Sequence, residues 1–282
     1  MILPGSASQS LAAALAADCD EALGRVTYES FPDGEQVVRV PDLHGERAVV
    51  VASTASDAAH VQLLQLQDAA REAGASEVVT VIPYMGYARQ DEAFQSGEPV
   101  SARAVARAVG TGADRVVVVD PHEEGVLDYF GVPATAASAA SVLAAPLDGL
   151  DEPLFLSPDE GAVALARTVR DAYSRGTVDY FRKERDYDTG EVEVTPGDVD
   201  VAGRDVVVTD DIVATGSTMS EAIAALREQN PGRIVVATVH ALLAGNARTK
   251  LAAAGVDRVV ATDTIEGAVS CVSAAPAVAD EL

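Results

Sequence analysis

The chain of 282 residues is long enough for two domains of about 140 residues each, and its 48% apolar content is enough to build their cores. Its 44 acidic residues outnumber its 20 basic ones, and the net charge of −24 excludes binding to nucleic acid or anionic lipid by bulk charge. Only two of the basic residues are lysines, and such an acidic, lysine-poor chain is typical of proteins that work in molar salt.

The cysteines and the apolar segments predict a cytoplasmic protein. Cys19 and Cys271 are far apart and have no metal-binding spacing, so neither a disulfide framework nor a zinc site is expected. No apolar run reaches the roughly 18–20 residues that a membrane-spanning helix needs, and the N-terminus has no basic leader. We therefore expect a chain that binds neither membrane nor nucleic acid.

Short β-branched runs alternate with longer helical stretches along the whole chain. The opening residues 1–5 predict a first strand. Further strands are predicted at residues 47–52, 77–82, 115–119, 153–156, 205–209, 233–240 and 258–261, and helices at residues 57–73, 101–109, 161–174, 218–229 and 246–254. Several strands are apolar throughout, as expected when both faces of a parallel sheet are covered. The alternation predicts an α/β fold in which helices flank a mainly parallel sheet.

A partial duplication suggests two similar halves. The segments 115–120 and 204–210 both run through valines to an aspartate and a turn. The small, alanine-rich segment 134–150 lies between them and is the predicted boundary. It gives an N-terminal domain of residues 1–142 and a C-terminal domain of residues 143–282.

The segment after the strand at 205–209 has the composition of a sugar-phosphate site. Asp210 and Asp211 precede three apolar residues and then Thr-Gly-Ser-Thr at the start of a predicted helix. Ligands collect at the carboxyl ends of parallel strands, and the amides and hydroxyls of such a loop can hold a phosphate. The two acids would repel a phosphate, so they suit sugar hydroxyls or a metal. The alternative is an ordinary strand–turn–helix, in which Thr218 and Glu221 have capping-box spacing.

Other candidate residues follow other strands. Arg89 offers a fork for phosphate or a plane that stacks on adenine, and Gln90 offers amide hydrogen bonds, although a charged surface loop explains Arg89 equally well. The sequence contains no G-x-x-x-x-G-K-[ST] motif, so a nucleotide would bind without a P-loop. Among the residues that close strands, Asp159 suits Mg²⁺ better than His122, because Mg²⁺ prefers oxygen ligands. Asp120 is a third candidate ligand.

Lys183 stands out because the chain otherwise uses arginine. Arg182 and Arg185 flank it closely, so the compact ammonium group is expected to matter at this position. A solvated basic patch is the alternative interpretation.

The segment 210–218 resembles the ribose-5-phosphate loop of the phosphoribosyltransferase fold, which base-salvage transferases, regulators and ribose-phosphate pyrophosphokinases share. Five further segments resemble the pyrophosphokinases and not the transferases: 31–35, 82–101, 120–122, 157–162 and 183–185. Their order is that of the family, whose archaeal members are similarly compact. The resemblance implies two tandem phosphoribosyltransferase-like domains, each with a central, mainly parallel sheet flanked by helices.

The resemblance also implies a reaction and roles. In this family ATP transfers its diphosphoryl group to the C1 hydroxyl of D-ribose 5-phosphate, giving AMP and 5-phosphoribosyl 1-diphosphate. The implied ATP-binding residues are Phe31, Asp33, Gly34, Glu35, Arg89 and Gln90, and the implied Mg²⁺ ligands are His122 and Asp159. The implied catalytic residues are Lys183 and Arg185, and the implied ribose-5-phosphate residues are Arg185, Asp210, Asp211, Ala214, Thr215, Gly216, Ser217 and Thr218.

Two features of the family bear on assembly and on detail. Its segment corresponding to 31–35 reaches into the ATP site of a neighbouring subunit, which implies a homo-oligomer, a dimer or a hexamer. Many members carry an acid where this chain has Ala214, so the contacts at that position stay open.

Two alternatives remain at the level of the sequence. A phosphoribosyltransferase would use segment 210–218 but would leave the Arg89 and Gln90 segment without a role. A non-catalytic regulatory homologue should have lost motif residues, whereas Lys183, Arg185 and His122 are all present.

Overall fold

The computed structural model describes residues 1–185, 192–196 and 200–282, and of residues 182–185 and 192–196 it describes the backbone alone. The strands in these ranges are β1 (Ile2–Pro4), β2 (Thr27–Ser30), β3 (Gln36–Arg39), β4 (Arg47–Val51), β5 (Glu77–Ile82), β6 (Arg115–Val119), β7 (Ala134–Ala137), β8 (Leu154–Ser157), β9 (Thr177–Arg185), β10 (Val192–Pro196), β11 (Val206–Ile212), β12 (Ile234–His240), β13 (Arg258–Thr262) and β14 (Ser270–Val272).

Helices connect most of the parallel strands. They are α1 (Gln9–Asp18), α2 (Asp57–Glu72), α3 (Ser101–Gly110), α4 (Val163–Tyr173), α5 (Ser217–Glu228), α6 (Ala247–Ala254) and α7 (Ala275–Ala279). Two 3₁₀ segments, Glu124–Tyr129 and Ala140–Leu147, complete the described elements. Among these elements, no helix has both the length and the apolar character needed to cross a membrane.

The first compact unit comprises Met1–Ala139, Asp263–Glu266 and Ser273–Leu282. Its sheet has five parallel strands in the order β1-β4-β5-β6-β7. The valines of β4, β5 and β6 are buried, because α2 and α3 contribute to the same core that these strands line. The strands β2 and β3 form a separate antiparallel hairpin.

The second compact unit comprises Ala140–Thr262 and Gly267–Val272. Its sheet has seven strands in the order β10-β9-β8-β11-β12-β13-β14, and only the β9–β10 pair is antiparallel. Helix α5 buries Met219, Ile223 and Leu226 in the core that the inward residues of β11 and β12 line. The expected fold class, two mainly parallel sheets flanked by helices, is confirmed.

The predicted strands and helices all occur and differ from the structure only at their ends. The sequence interpretation did not predict α1, the β2–β3 hairpin, β7, β9, β10, β14, α7 or the two 3₁₀ segments. Helix α1 buries Leu11, Ala12, Leu15 and Ala16, but alanine occupies both its buried and its exposed face. Because alanine gives little hydrophobic contrast, the 3.6-residue period that reveals an amphipathic helix is weak there.

The expected capping box at the start of α5 is wrong. The helix begins at Ser217 with Gly216 as its N-cap, so Thr218 lies inside the first turn. Gly216 has the left-handed φ of +69° that glycine adopts without strain. The helix therefore starts two residues earlier than the capping-box spacing of Thr218 and Glu221 suggested.

The chain does not divide in sequence as simply as the domains 1–142 and 143–282 would suggest. The first compact unit ends at Ala139, and the later segments Asp263–Glu266 and Ser273–Leu282 belong to it. Hydrogen bonds explain this arrangement, because Ser10 and Leu11 both donate backbone N–H groups to the carboxylate of Glu266.

Candidate active site

The carboxyl edge of the second sheet collects the acidic candidates. Strand β8 pairs in parallel with β11, with Leu156 opposite Val208, so Asp159 and Asp210 both follow buried strand residues at the same edge. The exposed Asp159 accepts hydrogen bonds at Oδ1 from the N–H groups of Gly161 (3.1 Å) and Ala162 (3.3 Å). This turn fixes its carboxylate just before α4.

Asp210 and Asp211 form a closely spaced acid pair at the end of β11. Burial, the negative charge of Asp211 and a hydrogen bond with Asp211 raise the pKa of Asp210 to about 8, and the charge of Asp159 acts in the same direction. The two carboxyls therefore share a proton through their hydrogen bond, and their remaining oxygens can accept hydrogen bonds from sugar hydroxyls.

Backbone hydrogen bonds join the loop between β11 and α5 to the end of β12 and the segment that follows it. Val213 donates its N–H to the carbonyl of His240 (3.0 Å), and the carbonyl of Ala214 accepts from Ala244 (2.9 Å). Because the N-cap Gly216 has no side chain, it cannot itself cap the first N–H groups of α5. These donors and the exposed hydroxyls of Thr215 and Thr218 give the loop the chemistry of an anion site.

A lysine that the sequence interpretation left unassigned contacts this loop. Lys250, on α6, donates from Nζ to the Oγ of Ser217 at 2.7 Å. The available signal was the one that singled out Lys183, since Lys250 is the other lysine of a chain that otherwise uses arginine. Its distance of more than thirty residues from Ser217 in the sequence hid the contact.

Strand β9 carries Lys183 and Arg185 towards the same edge. Its Tyr180 stands opposite Ser157, the last residue of β8, so the backbone of β9 continues beyond the carboxyl end of β8. Lys183 is paired with Val194 and Arg185 with Val192 in the antiparallel ladder. Positions two apart on a strand share a face. The side chains of Lys183 and Arg185 themselves lie outside the described residues.

In the first unit, Arg89 and Gln90 follow a tight turn after β5. Gln90 accepts at Oε1 from the hydroxyl of Ser101 (2.5 Å), and its carbonyl accepts from Ala102 (3.1 Å), which ties the turn to the start of α3. Gly86 lies directly against the carbonyl of Thr54, where a Cβ would collide with the backbone. The turn is therefore packed in place, and Arg89 is exposed.

His122 and Asp120 follow β6 in the first unit. The carboxylate of Asp120 accepts from the hydroxyl of Ser138 (3.0 Å) and from the N–H of Ala139 (2.7 Å), so it holds the segment after β7. This engagement favours a structural role for Asp120 over its candidacy as a metal ligand. His122 lies on the surface of the turn.

The segment 31–35 forms the exposed tip of the β2–β3 hairpin. Phe31 and Glu35 close the turn through an N–H to carbonyl bond of 2.7 Å, and Asp33 accepts from the N–H of Glu35 at 3.0 Å. Gly34 has a φ of +93°, which a glycine adopts freely. The aromatic ring of Phe31 is 41% exposed at this tip.

The second unit thus brings the predicted ribose-phosphate residues and Asp159 to one sheet edge, towards which β9 also runs. The first unit holds the predicted ATP-binding residues and His122, on a hairpin and on turns after β5 and β6. Among the residues whose side chains are described, no group of three or more His, Cys, Asp or Glu has the arrangement of a metal site.

Comparison with known proteins gives two family matches and full-length relatives. Residues 1–111 match the model of the N-terminal domain of ribose phosphate pyrophosphokinase, and residues 134–275 match the phosphoribosyl transferase domain. The ribose-phosphate pyrophosphokinase of Halobacterium salinarum is 65% identical over 100% of both chains. That of Methanopyrus kandleri is 45% identical over 99% of this chain and 97% of its own. The crystal structure of phosphoribosylpyrophosphate synthetase from Mycobacterium smegmatis has a TM-score of 0.82 at 27% identity, covering 100% of this chain and 96% of that one.

Proposed function

The chain belongs to the ribose-phosphate pyrophosphokinase family, and from this we propose that it transfers the diphosphoryl group of ATP to the C1 hydroxyl of D-ribose 5-phosphate. The products are 5-phosphoribosyl 1-diphosphate and AMP, which places the enzyme in nucleotide biosynthesis. The observation that carries the proposal is the full-length match to pyrophosphokinases, together with a sugar-phosphate loop at residues 210–218. A base-salvage transferase is disfavoured because residues 1–111 match the N-terminal domain of a pyrophosphokinase.

The acid pair and the following loop are the proposed ribose-5-phosphate site. Asp210 and Asp211 each accept a hydrogen bond from a ribose hydroxyl, while the proton that the raised pKa of Asp210 retains stays between the two carboxyls. The 5-phosphate lies against the loop between β11 and α5. There it accepts hydrogen bonds from the backbone amides and side-chain hydroxyls of Ala214, Thr215, Gly216, Ser217 and Thr218. Such two-sided recognition orients the C1 hydroxyl for attack.

The proposed reaction is an attack of ribose 5-phosphate on ATP. The C1 oxygen forms a bond to the β-phosphorus of ATP, and the bond between that phosphorus and the α-phosphate oxygen breaks, so AMP leaves. Phosphoryl-type transfer needs positioning and neutralisation of charge more than covalent help. Lys183 and Arg185 supply positive charge to the transferred diphosphoryl group, and Arg185 also contacts ribose 5-phosphate. Arg89 and Gln90 hold ATP.

Mg²⁺ is the proposed cofactor, and Asp159 is the residue of the second unit that we propose as its ligand. Asp159 is an exposed carboxylate at the same edge of the sheet as Asp210. Oxygen ligands of this kind suit Mg²⁺, and the family resemblance adds His122. The ion supplies charge neutralisation to the phosphates of bound ATP.

The proposed partner is a second copy of this chain. The exposed ring of Phe31 lies at the tip of a hairpin that is separate from the five-stranded sheet. Such a position suits a segment that contacts a neighbouring subunit. In this assembly Phe31, Asp33, Gly34 and Glu35 complete the ATP site of a neighbouring subunit, in a dimer or a hexamer. The proposed compartment is the cytoplasm, which supplies ATP and consumes the product.

The activity is tested by assaying AMP release and 5-phosphoribosyl 1-diphosphate together in molar KCl with Mg²⁺. We expect both products in equal amounts and only when ribose 5-phosphate is present. A regulatory homologue without activity would give neither product. Formation of nucleotide from a free base and 5-phosphoribosyl 1-diphosphate, without AMP release in the first assay, would identify a transferase instead.

The shared ATP site is tested by mixing two inactive variants. Phe31→Ala removes an aromatic ring from the ATP site of the neighbouring subunit. Lys183→Ala removes a positive charge from the site of its own subunit. Hybrids that exchange subunits contain sites with neither defect, so mixed and re-equilibrated protein should regain activity that neither variant has alone. Lack of any gain in hybrids, verified by mass spectrometry, would contradict a site shared between subunits.

A further inference from the structure

Helix α6 is fixed against the proposed phosphate loop by its first turn. A Cβ on Gly216 would come within 3.3 Å of the Cβ of Ala247, so the loop and the helix approach as closely as a glycine permits. The carbonyl of Ala214 accepts from the N–H of Ala244 at 2.9 Å, just before the helix. These contacts determine where Lys250, one turn further along α6, can place its ammonium group.

The hydrogen bond between Lys250 and Ser217 has a defined direction. An ammonium group only donates, so the Oγ of Ser217 accepts from Nζ at 2.7 Å. The same oxygen lies 3.5 Å from the Oγ1 of Thr215, which donates to it. Because the Oγ of Ser217 accepts hydrogen bonds from Lys250 and Thr215, its own O–H proton is available for a different acceptor. A phosphate oxygen in the loop is the acceptor that the proposed function provides.

Charge explains why a cation is needed at this place. The chain carries a net charge of −24, and Asp159 stands at the same edge of the sheet as the pair Asp210 and Asp211, which shares a proton. A sugar phosphate with two negative charges would meet repulsion on approach. Molar salt screens distant charges but leaves a direct contact largely intact, so a cation in the first layer around the phosphate is effective where a remote one is not.

We propose that Lys250 is a specificity-determining residue for the 5-phosphate of ribose 5-phosphate. Its ammonium group polarises the hydroxyl of Ser217 towards the phosphate and neutralises part of the phosphate charge. This inference rests on the proposed function of the loop at residues 210–218. It separates the two lysines of the chain, with Lys183 acting on the transferred group and Lys250 on the sugar monoester.

The test compares Lys250→Met and Lys250→Arg with a matched control. Arg248→Met removes the same charge from an exposed position on the same helix and leaves the loop alone. Loss of a charge-assisted hydrogen bond is expected to raise the KM for ribose 5-phosphate about 10- to 100-fold in Lys250→Met. The KM for ATP and kcat should change by less than about 3-fold, because Lys250 is not placed at the transferred group. Lys250→Arg should recover most of the loss.

The preference for ribose 5-phosphate over free ribose gives a second readout. Lys250→Met should lose this preference by the same factor as its KM rises, since free ribose has no phosphate to lose a contact. Calorimetric titration with ribose 5-phosphate alone should show the same weakening, without dependence on turnover. Thermal unfolding of each variant, compared with that of the unmodified enzyme, checks that the fold is retained.

Two results would overturn the inference. One is a KM for ribose 5-phosphate in Lys250→Met within about 2-fold of the unmodified enzyme. The other is a parallel change of kcat, both KM values and the unfolding midpoint, which is what a helix-joining role would produce. Failure of the unmodified enzyme to make AMP would instead refute the proposed function, and the binding titration would still report on Lys250.

Discussion

The half-buried carboxyl of Asp210 is proposed to bind ribose, and it lowers the stability of the folded protein at neutral pH. Its pKa of about 8 means that the folded protein retains a proton that the unfolded chain, with an ordinary pKa near 3.8, releases. The folded state therefore binds more protons between these values. Its stability is fully present at low pH and declines as the pH rises through this range.

Asp210→Asn should remove this pH dependence. We expect the variant to match the unmodified protein at pH 4 and to exceed its free energy of unfolding at pH 8 by on the order of 2 kcal/mol. The measurement is chemical denaturation in molar KCl without divalent ions. Asp205→Asn is the control of opposite sign, because the hydrogen bonds of Arg233 lower the pKa of Asp205 and the substitution should destabilise. Equal pH slopes for Asp210→Asn and the unmodified protein would show that Asp210 is ionised when folded.

Lys183 is expected to act in catalysis and not in the binding of ribose 5-phosphate. Lys183→Ala should lower kcat by about 10²- to 10⁴-fold, because it removes positive charge from the transferred group. Binding of ribose 5-phosphate, measured by calorimetry, should survive. The matched control is Arg182→Ala, which removes a positive charge from the neighbouring position in the sequence. Near-normal turnover in Lys183→Ala would remove this residue from the mechanism.

Among the elements, the turn between β5 and α3 depends on Gly86. Gly86→Ala should destabilise the protein by about 1–3 kcal/mol, because the new Cβ collides with the carbonyl of Thr54, which cannot move without shifting its own backbone. It should also raise the KM for ATP, since Arg89 and Gln90 follow this turn. Denaturation and steady-state kinetics check both effects. Gly125→Ala, where the Cβ meets open space, should be neutral, and a neutral Gly86→Ala would contradict the packing.

The strands that place the site were predictable because their signals are local. Valine runs predict β5 and β6 with their observed ends, and the acid pair with its hydroxyl-rich loop predicts the sugar-phosphate chemistry of residues 210–218. The elements that escaped prediction lack such signals. Helix α1 is alanine on both faces, and the strand β9 mixes polar and apolar residues without strict alternation.

Contacts between distant parts of the chain could not be predicted from the sequence. Nothing local connects Lys250 with Ser217, or Ser10 with Glu266, because each pair is joined only by the packing of helices and strands. The return of residues 273–282 to the first unit has the same origin. The predicted capping box was wrong because Gly216 is the N-cap, so α5 starts two residues before the spacing of Thr218 and Glu221 suggested.

For the molecule as a whole, the net charge of −24 predicts a requirement for salt. Self-repulsion extends over a Debye length of about 10 Å at 0.1 M salt but only about 3 Å at 1 M. The midpoint of thermal unfolding should therefore rise steeply between about 0.1 M and 2 M KCl, with activity following it. Calorimetric scans across this range make the measurement. A midpoint that does not depend on salt would contradict adaptation to a saline cytoplasm.

The central claim is that two phosphorus atoms of ATP move together to the C1 oxygen of ribose 5-phosphate. Phosphorus NMR of the complete reaction, in molar KCl with Mg²⁺, follows each phosphorus directly. The account predicts that the α-phosphorus appears in AMP while the β- and γ-phosphorus appear as a diphosphate bonded to the sugar. Appearance of ADP with a singly phosphorylated C1, or of inorganic phosphate in place of the sugar diphosphate, would contradict it.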